Sequence, residues 1–302
     1  MKILVTGGAG FLGSHICLRL LNKGHEVICL DNLSTGTKQN MMEFLYNPLF
    51  HFIIHDITEP FPAANVDMIV HCAIPDLRDP LHFIKSCSYG TFNVAGMARR
   101  NNARLVCLAS NQIYGIQNNA LEERLLLDYL DEASAGYQVM EAILNNYKGM
   151  DARVLRIFDT FGPKMNTESM ISKLFMAVAK GKDFELPYSG RSPVSFCYVN
   201  DIVDAFSCAA NLSKESFSSP MNLGAKESIY LEDFIRYLTE LGEYKGKITL
   251  GQEYRALGSS PNLGKAHEVL KWSPKISYEE GIKRTLDFYK SGPDRDYLDG
   301  GV

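Results

Sequence analysis

Apolar positions along the first half of the chain switch repeatedly between two periods. Short apolar runs rich in β-branched residues fall at 2–6, 26–30, 50–54, 67–72, 104–109 and 152–157, and runs of this length read as strands buried on both faces. Between them apolar residues recur every three to four positions, which predicts helices near 14–23, 37–46, 81–102 and 134–149. This alternation builds an α/β fold with a parallel, doubly wound sheet. Beyond about residue 160 the alternation lapses. Helices are predicted near 168–181, 200–211, 231–241, 264–270 and 278–290, with a strand and turn stretch up to 199. The pattern therefore predicts a Rossmann-type domain over 1–165 that is revisited near 196–212 and 257–270, and a smaller, interleaved substrate-binding domain over 166–302. The polar, glycine-punctuated ending SGPDRDYLDGGV is expected to be loosely held.

The first predicted strand, helix and second strand carry the chemistry. In KILVTGGAGFLGSHICLRLLNKGHEVICLD (2–31), Gly7, Gly10 and Gly13 follow the strand at three-residue spacing and open the helix. The first glycine permits a tight turn, the second lets backbone approach a pyrophosphate, and the third lets helix and strand pack closely. Phe11 and Leu12, between the last two, belong to the helix start on which the phosphates rest. Asp31 ends the second strand, 18 residues past Gly13, where a carboxylate can accept the adenosine ribose hydroxyls. That carboxylate repels a 2′-phosphate, and Asn32 and Leu33 beside it supply no arginine to receive one, so NAD is favoured over NADP.

Composition narrows the classes. The chain has 302 residues, 46% of them hydrophobic, enough for a large core, and its net charge of −4 comes without a basic stripe, which argues against a nucleic-acid partner. No apolar run reaches membrane-spanning length and the chain opens directly on a strand, so a cytoplasmic protein with no membrane association is expected. Cysteines 17, 29, 72, 87, 107, 197 and 208 sit mostly inside apolar patterns without metal-ligand spacing. They read as reduced core residues, and no metal site is expected.

Longer motifs carry a resemblance: TGGAGFLGSH (6–15), DNLSTG (31–36), HDIT (55–58), VHCA (70–73), IKSCSYGTFNVAGMARRNNARLV (84–106), ASNQIYG (109–115), RIFDTFGP (156–163), FCYVNDIVDA (196–205), MNLG (221–224) and LKWSPKISYEEGIKRTLDFY (270–289). Together they make the chain resemble, nearly end to end, the extended short-chain dehydrogenase/reductase family, specifically its NAD-dependent nucleotide-sugar epimerases and dehydratases, and most closely the UDP-glucuronate decarboxylase branch. The resemblance implies that Asp56 and Ile57 flank the adenine, that Ala73 lines the pyrophosphate cleft, and that Lys85 reaches the nicotinamide-side ribose. It also implies a homodimer paired through the helices at 81–102 and 134–149.

By the same resemblance the catalytic groups are a hydroxyl residue, a tyrosine, and a lysine four residues after the tyrosine. Ser110 and Tyr137 fill the first two places, while the third holds Glu141. A carboxylate there is expected to raise the phenol's pKa, leaving Tyr137 a poor base but a competent acid, or to act itself as acid, base or ribose acceptor. Asn111 and Gln112 are amides where relatives carry a sugar-directed acid, and Asp159 replaces a substrate-facing asparagine. The arginines that hold the nucleotide diphosphate are missing, with Arg191 and Arg255 close enough in sequence to substitute. The stretch 117–132 reads as a helix where relatives have a proline-rich loop. These departures leave two functions open. One is an NAD-dependent enzyme acting on a nucleotide-linked or similar polyhydroxylated substrate by epimerisation, dehydration, decarboxylation or ketone reduction; the other is a catalytically silent homologue that binds NAD or a partner subunit.

Overall fold

A computed structural model describes residues 1–60, 65–74, 77–115, 121–125 and 131–292. Seven parallel strands form its central sheet: β1 Lys2–Thr6, β2 Glu26–Asp31, β3 Phe50–Ile54, β4 Met68–His71, β5 Arg104–Ser110, β6 Ala152–Ile157 and β7 Met221–Leu223, in the order β7-β6-β5-β4-β1-β2-β3. The six strands expected from the sequence are all present. The seventh is three residues long and centred on Asn222, too short and too polar to stand out as an apolar run.

Side-chain alternation assigns the two faces. Ile3, Val5, Val27, Cys29, Val106 and Leu108 enter one apolar cluster, whereas Leu4, Ile28, Leu30, Leu105, Cys107 and Ala109 enter the other. Both faces are covered, which is why these strands read as continuous apolar runs rather than as alternating ones. The first face is packed by α1 (Phe11–Asn22) and the second by α2 (Pro80–Lys85), α3 (Thr91–Asn101) and α4 (Glu132–Asn146). The helix expected over 81–102 is α2 and α3 joined by a π-helical turn at Ser86–Gly90, an irregularity that apolar spacing does not report. The segment expected as 37–46 is a tight helical turn, Lys38–Phe44.

After β6 the chain builds a second lobe from α5 (Met170–Ala179), α7 (Leu231–Gly242) and α9 (Tyr278–Ser291), around the interlocked rings of Phe161, Phe175, Phe234 and Tyr278. Helix α6 (Val199–Asn211) and β7 return to the sheet, while α8 (Gly264–Leu270) packs beside β7. Because β1 pairs with β2 on one side and β4 on the other, the strand order reverses at β1, and a crevice opens outside the strand ends there. Of the helix expected over 117–132, residues 116–120 and 126–130 lie outside the described residues. The described part is a bridge of Leu121 to Pro261 followed by a turn, and α4 begins only at Glu132 with Asp131 as its cap, so the helical expectation fails there. The expected tail beyond residue 292 also lies outside the described residues.

Candidate active site

The crevice encloses about 940 Å³, at the upper end for ligand pockets, and the glycine loop forms one wall. Gly10 caps α1 without any side-chain partner, so the amides of its first turn remain available to a ligand anion. Gly7 has φ +71, and a Cβ there would lie 2.7 Å from the Ala73 backbone; a Cβ on Gly13 would lie 2.1 Å from the Gly7 carbonyl oxygen. Backbone approaches this tight leave room for no larger residue, and they set the loop flat against the cleft. The loop is tied down by Asp31, whose Oδ2 accepts from the Ala9 amide at 3.0 Å while Oδ1 accepts from the Leu33 amide at 2.8 Å, and by Asn40 Nδ2, which donates to the Ala9 carbonyl at 2.9 Å. Burial raises the Asp31 pKa against the lowering effect of those two amides.

Asp56 and Ile57 stand further along the same wall. Burial works against the Asp56 carboxylate, but donations from the Thr58 amide (2.8 Å) and hydroxyl (2.7 Å), Asn32 Nδ2 (2.8 Å) and His82 Nε2 (3.1 Å) overcome it and hold its pKa down to about 2. Gly7, Gly10, Phe11, Leu12, Gly13, Asp31, Asn32, Asp56, Ile57 and Ala73 therefore share one cleft. An uncapped helix start, a flat glycine loop and an acid at the end of β2 fit a dinucleotide: the amides meet the pyrophosphate, and the acid meets ribose hydroxyls.

At the other end of the cleft a row of polar side chains leads from α4 toward the second lobe. Tyr137 stands near Ser110 on the cleft wall, close enough for the hydroxyl to favour the ionised phenol. The Ser110 hydroxyl lies 3.2 Å from Asn111 Oδ1 and donates to it, and Asn111 Nδ2 donates to Asp159 Oδ2 at 3.0 Å. All four residues line the cleft, as does the exposed Gln112, whose amide donates to Ser110 Oγ at 3.2 Å. The Tyr137 ring packs edge-on to Phe83 with centroids 5.5 Å apart. Burial pushes its phenol well above the ordinary value, reinforced by Cys87 and opposed by the nearby Ser110 hydroxyl. Burial likewise raises the Asp159 pKa.

Three expectations need correction. Glu141 is not beside the Tyr137 hydroxyl: its two oxygens receive Arg156 Nε at 2.8 Å and Nη2 at 2.7 Å in a buried bidentate pair behind the cleft wall. Arg156 also donates to Tyr114 Oη at 2.8 Å, and that hydroxyl donates to Asn222 Oδ1 at 2.7 Å. The phenol of Tyr137 is thus raised by burial and not by a carboxylate neighbour. Lys85 ends α2 exposed and outside the cleft lining, where His82 and Ser86 present themselves instead. Arg191 is exposed and lines no part of the cleft; Arg255 lines an adjoining pocket with Asp159, Tyr188 and Phe196.

The sequence reading missed Ser34, Thr35, Thr37 and Asn40, which follow Asp31 around the cleft, and also Lys164 to Thr167. DNLSTG was a signal for the former. Nothing periodic marks Asn40, whose side chain bonds the glycine loop across the fold.

Residues 3–224 match the model of the NAD dependent epimerase/dehydratase family. The chain belongs to this family, and NAD is its cofactor. Its curated relatives include UDP-glucuronic acid decarboxylase 1 of Xenopus tropicalis, 31% identical over 96% of this chain and 72% of the relative. Another is UDP-glucuronic acid decarboxylase 6 of Arabidopsis thaliana, 31% identical over 93% of this chain and 87% of the relative. Among solved structures, UDP-glucuronic acid 4-epimerase from Bacillus cereus in complex with NAD superposes with a TM-score of 0.86 at 23% identity, covering 96% of this chain and 99% of the other. The fold is therefore that of the epimerases and dehydratases.

Proposed function

We propose that the chain is an NAD-dependent enzyme that modifies a nucleotide-linked sugar, with Tyr137 as a proton donor steadied by Ser110. The hydrogen-bonded row from Ser110 through Asn111 to Asp159, set beside Tyr137 in the same cleft as the dinucleotide loop, carries this reading. A phenol whose pKa is raised stays protonated at neutral pH, so it serves an oxygen that gains a proton and cannot start an alcohol oxidation by removing one. The reaction that fits best is reduction of a sugar ketone, in which Tyr137 gives its proton to the carbonyl oxygen; NADH held in the glycine-loop cleft would supply the hydride to the carbonyl carbon. Relatives that act on UDP-glucuronic acid support a nucleotide diphosphate substrate, for which Arg255 is the candidate phosphate contact and Arg191 is not.

We place the enzyme in the cytoplasm as a homodimer. Its seven cysteines are unpaired, which suits a reducing compartment. On α2, α3, α4 and the turn between them, Leu81 (66% exposed), Tyr89 (66%), Phe92 (57%) and Val139 (41%) leave apolar surface that a second copy would cover.

A silent homologue remains the second reading, on one observation. Tyr137 is the sole residue of α4 on the cleft wall; one turn later Glu141 is held by Arg156, and one turn earlier stands buried Ala133, so no ammonium on this helix attends the phenol. The test follows NADH consumption with a UDP-linked 4-keto sugar. Turnover that falls about a hundredfold or more in Tyr137→Phe supports the enzyme reading. NADH binding without turnover on a panel of UDP-linked keto sugars supports the silent one.

A further inference from the structure

Asp159 lies where two cavities meet. It lines the dinucleotide cleft beside Asn111 and also the adjoining pocket of about 380 Å³ that contains Tyr188, Phe196 and Arg255. Its Oδ2 takes one hydrogen bond from the Asn111 amide at 3.0 Å and one from the Ser259 backbone amide at 3.3 Å, both neutral donors. Gly258 makes the second possible. Its φ of +98 is one that side-chain-bearing residues rarely adopt, and a Cβ there would come 2.7 Å from the Ser195 carbonyl and 3.3 Å from Asp159 Oδ2. The loop is thus folded tightly over the carboxylate. Among the described residues no lysine, arginine or histidine forms an ion pair with Asp159, and no cation figures among the influences on its charge. A largely buried carboxylate with only neutral donors keeps an unmet demand for positive charge.

The asparagine expected at this place from the resemblance would offer a substrate both a donor and an acceptor; a carboxylate only accepts. We propose that Asp159 makes the sugar end of this cleft select a substituent that donates hydrogen bonds, an ammonium above a hydroxyl, and reject a carboxylate. The substrate class is then a nucleotide-linked amino sugar or neutral sugar, and uronates are excluded, in contrast to the relatives named for UDP-glucuronic acid. The specificity comes from repulsion as much as attraction. This inference rests on the nucleotide-sugar reading above.

The experiment is calorimetry on the full chain loaded with NAD, titrated at neutral pH with UDP, UDP-glucose, UDP-glucosamine and UDP-glucuronic acid. UDP-glucuronic acid is expected to bind at least about tenfold more weakly than UDP-glucose, and UDP-glucosamine more tightly than either. In Asp159→Asn, which keeps the side-chain shape, the uronate should come within about threefold of UDP-glucose while affinity for UDP stays the same; Asp159→Glu should keep the wild-type order. Equal wild-type affinity for glucose and glucuronate forms overturns the role of Asp159, as does an Asp159→Asn change that weakens all four ligands alike. If UDP and all three sugars fail to bind NAD-loaded protein, the nucleotide-sugar reading falls and this inference with it.

Discussion

Replacing Glu141 by alanine should destabilise the protein without touching its affinity for NAD. The carboxylate accepts two charge-assisted hydrogen bonds from one guanidinium, at 2.8 and 2.7 Å, with side-chain exposures of 9% for Glu141 and 4% for Arg156. Removing one member of a buried pair leaves the other charge desolvated and uncompensated, which costs about 3–5 kcal/mol. For a chain of this size, a loss of that order lowers the melting temperature by about 5–8 °C. Replacing both partners by apolar residues, Glu141→Leu with Arg156→Met, should recover most of the loss, since neither charge is then stranded. The Tyr114 hydroxyl would still have Asn222 to donate to, although it loses the guanidinium that lies 4.8 Å from its ring centre. Chemical denaturation of the two single variants and the double variant measures this cycle, with NAD affinity followed by calorimetry on the same samples. A cost below about 1 kcal/mol for Glu141→Ala, or a tenfold loss of NAD affinity in Glu141→Gln at unchanged stability, would refute the structural role and restore Glu141 to the ribose.

Two further outcomes are expected. His71 is fully buried between Thr6 (2.8 Å) and Thr91 (3.4 Å), and burial lowers its pKa from 6.5 to about 4; the unfolded chain therefore binds the proton first, and stability present above about pH 6.5 is lost as pH falls toward 4, by about 3 kcal/mol. Denaturation midpoints measured across that window should fall more gently in His71→Asn, and parallel curves for the two proteins would count against the buried neutral imidazole. The second concerns assembly: sedimentation at micromolar concentration should show a dimer for the wild type and a monomer for Phe92→Lys, whose ring lies near Tyr147 on the exposed side of α3 and α4. A wild-type monomer rejects the pairing face.

Most of the sheet was legible because parallel strands covered on both faces must be apolar at nearly every central position, and β1, β2 and β5 are. Elements held by long-range bonds left no such trace. Strand β7 gains its place from backbone pairing with β6 and from Asn222, whose Nδ2 donates to the Leu121 carbonyl 101 residues away. Residues 121–125 carried a helical pattern, yet Leu121 is drawn into backbone bonds with Ser260 and Asn262, and that tertiary pairing prevails over local propensity.

The dinucleotide end was legible for a different reason. Close backbone approaches demand its glycines, so their spacing was enough to place them in one cleft with Asp31. At the reacting end spacing misled. Residues four apart on a helix lie on one stripe, but each step of four also rotates about 40° around the axis. On α4 the partner offered by the neighbouring strand decides the outcome. Tyr137 faces the cleft beside Ser110, while Glu141 has turned toward the sheet, where β6 brings Arg156 within reach. No sequence pattern announces a partner on another element, and the pairing becomes visible only once α4 is docked on β6. The same geometry removes an apparent remedy. A lysine at position 141 would set an ammonium against the buried Arg156 guanidinium, an arrangement of like charges that costs stability.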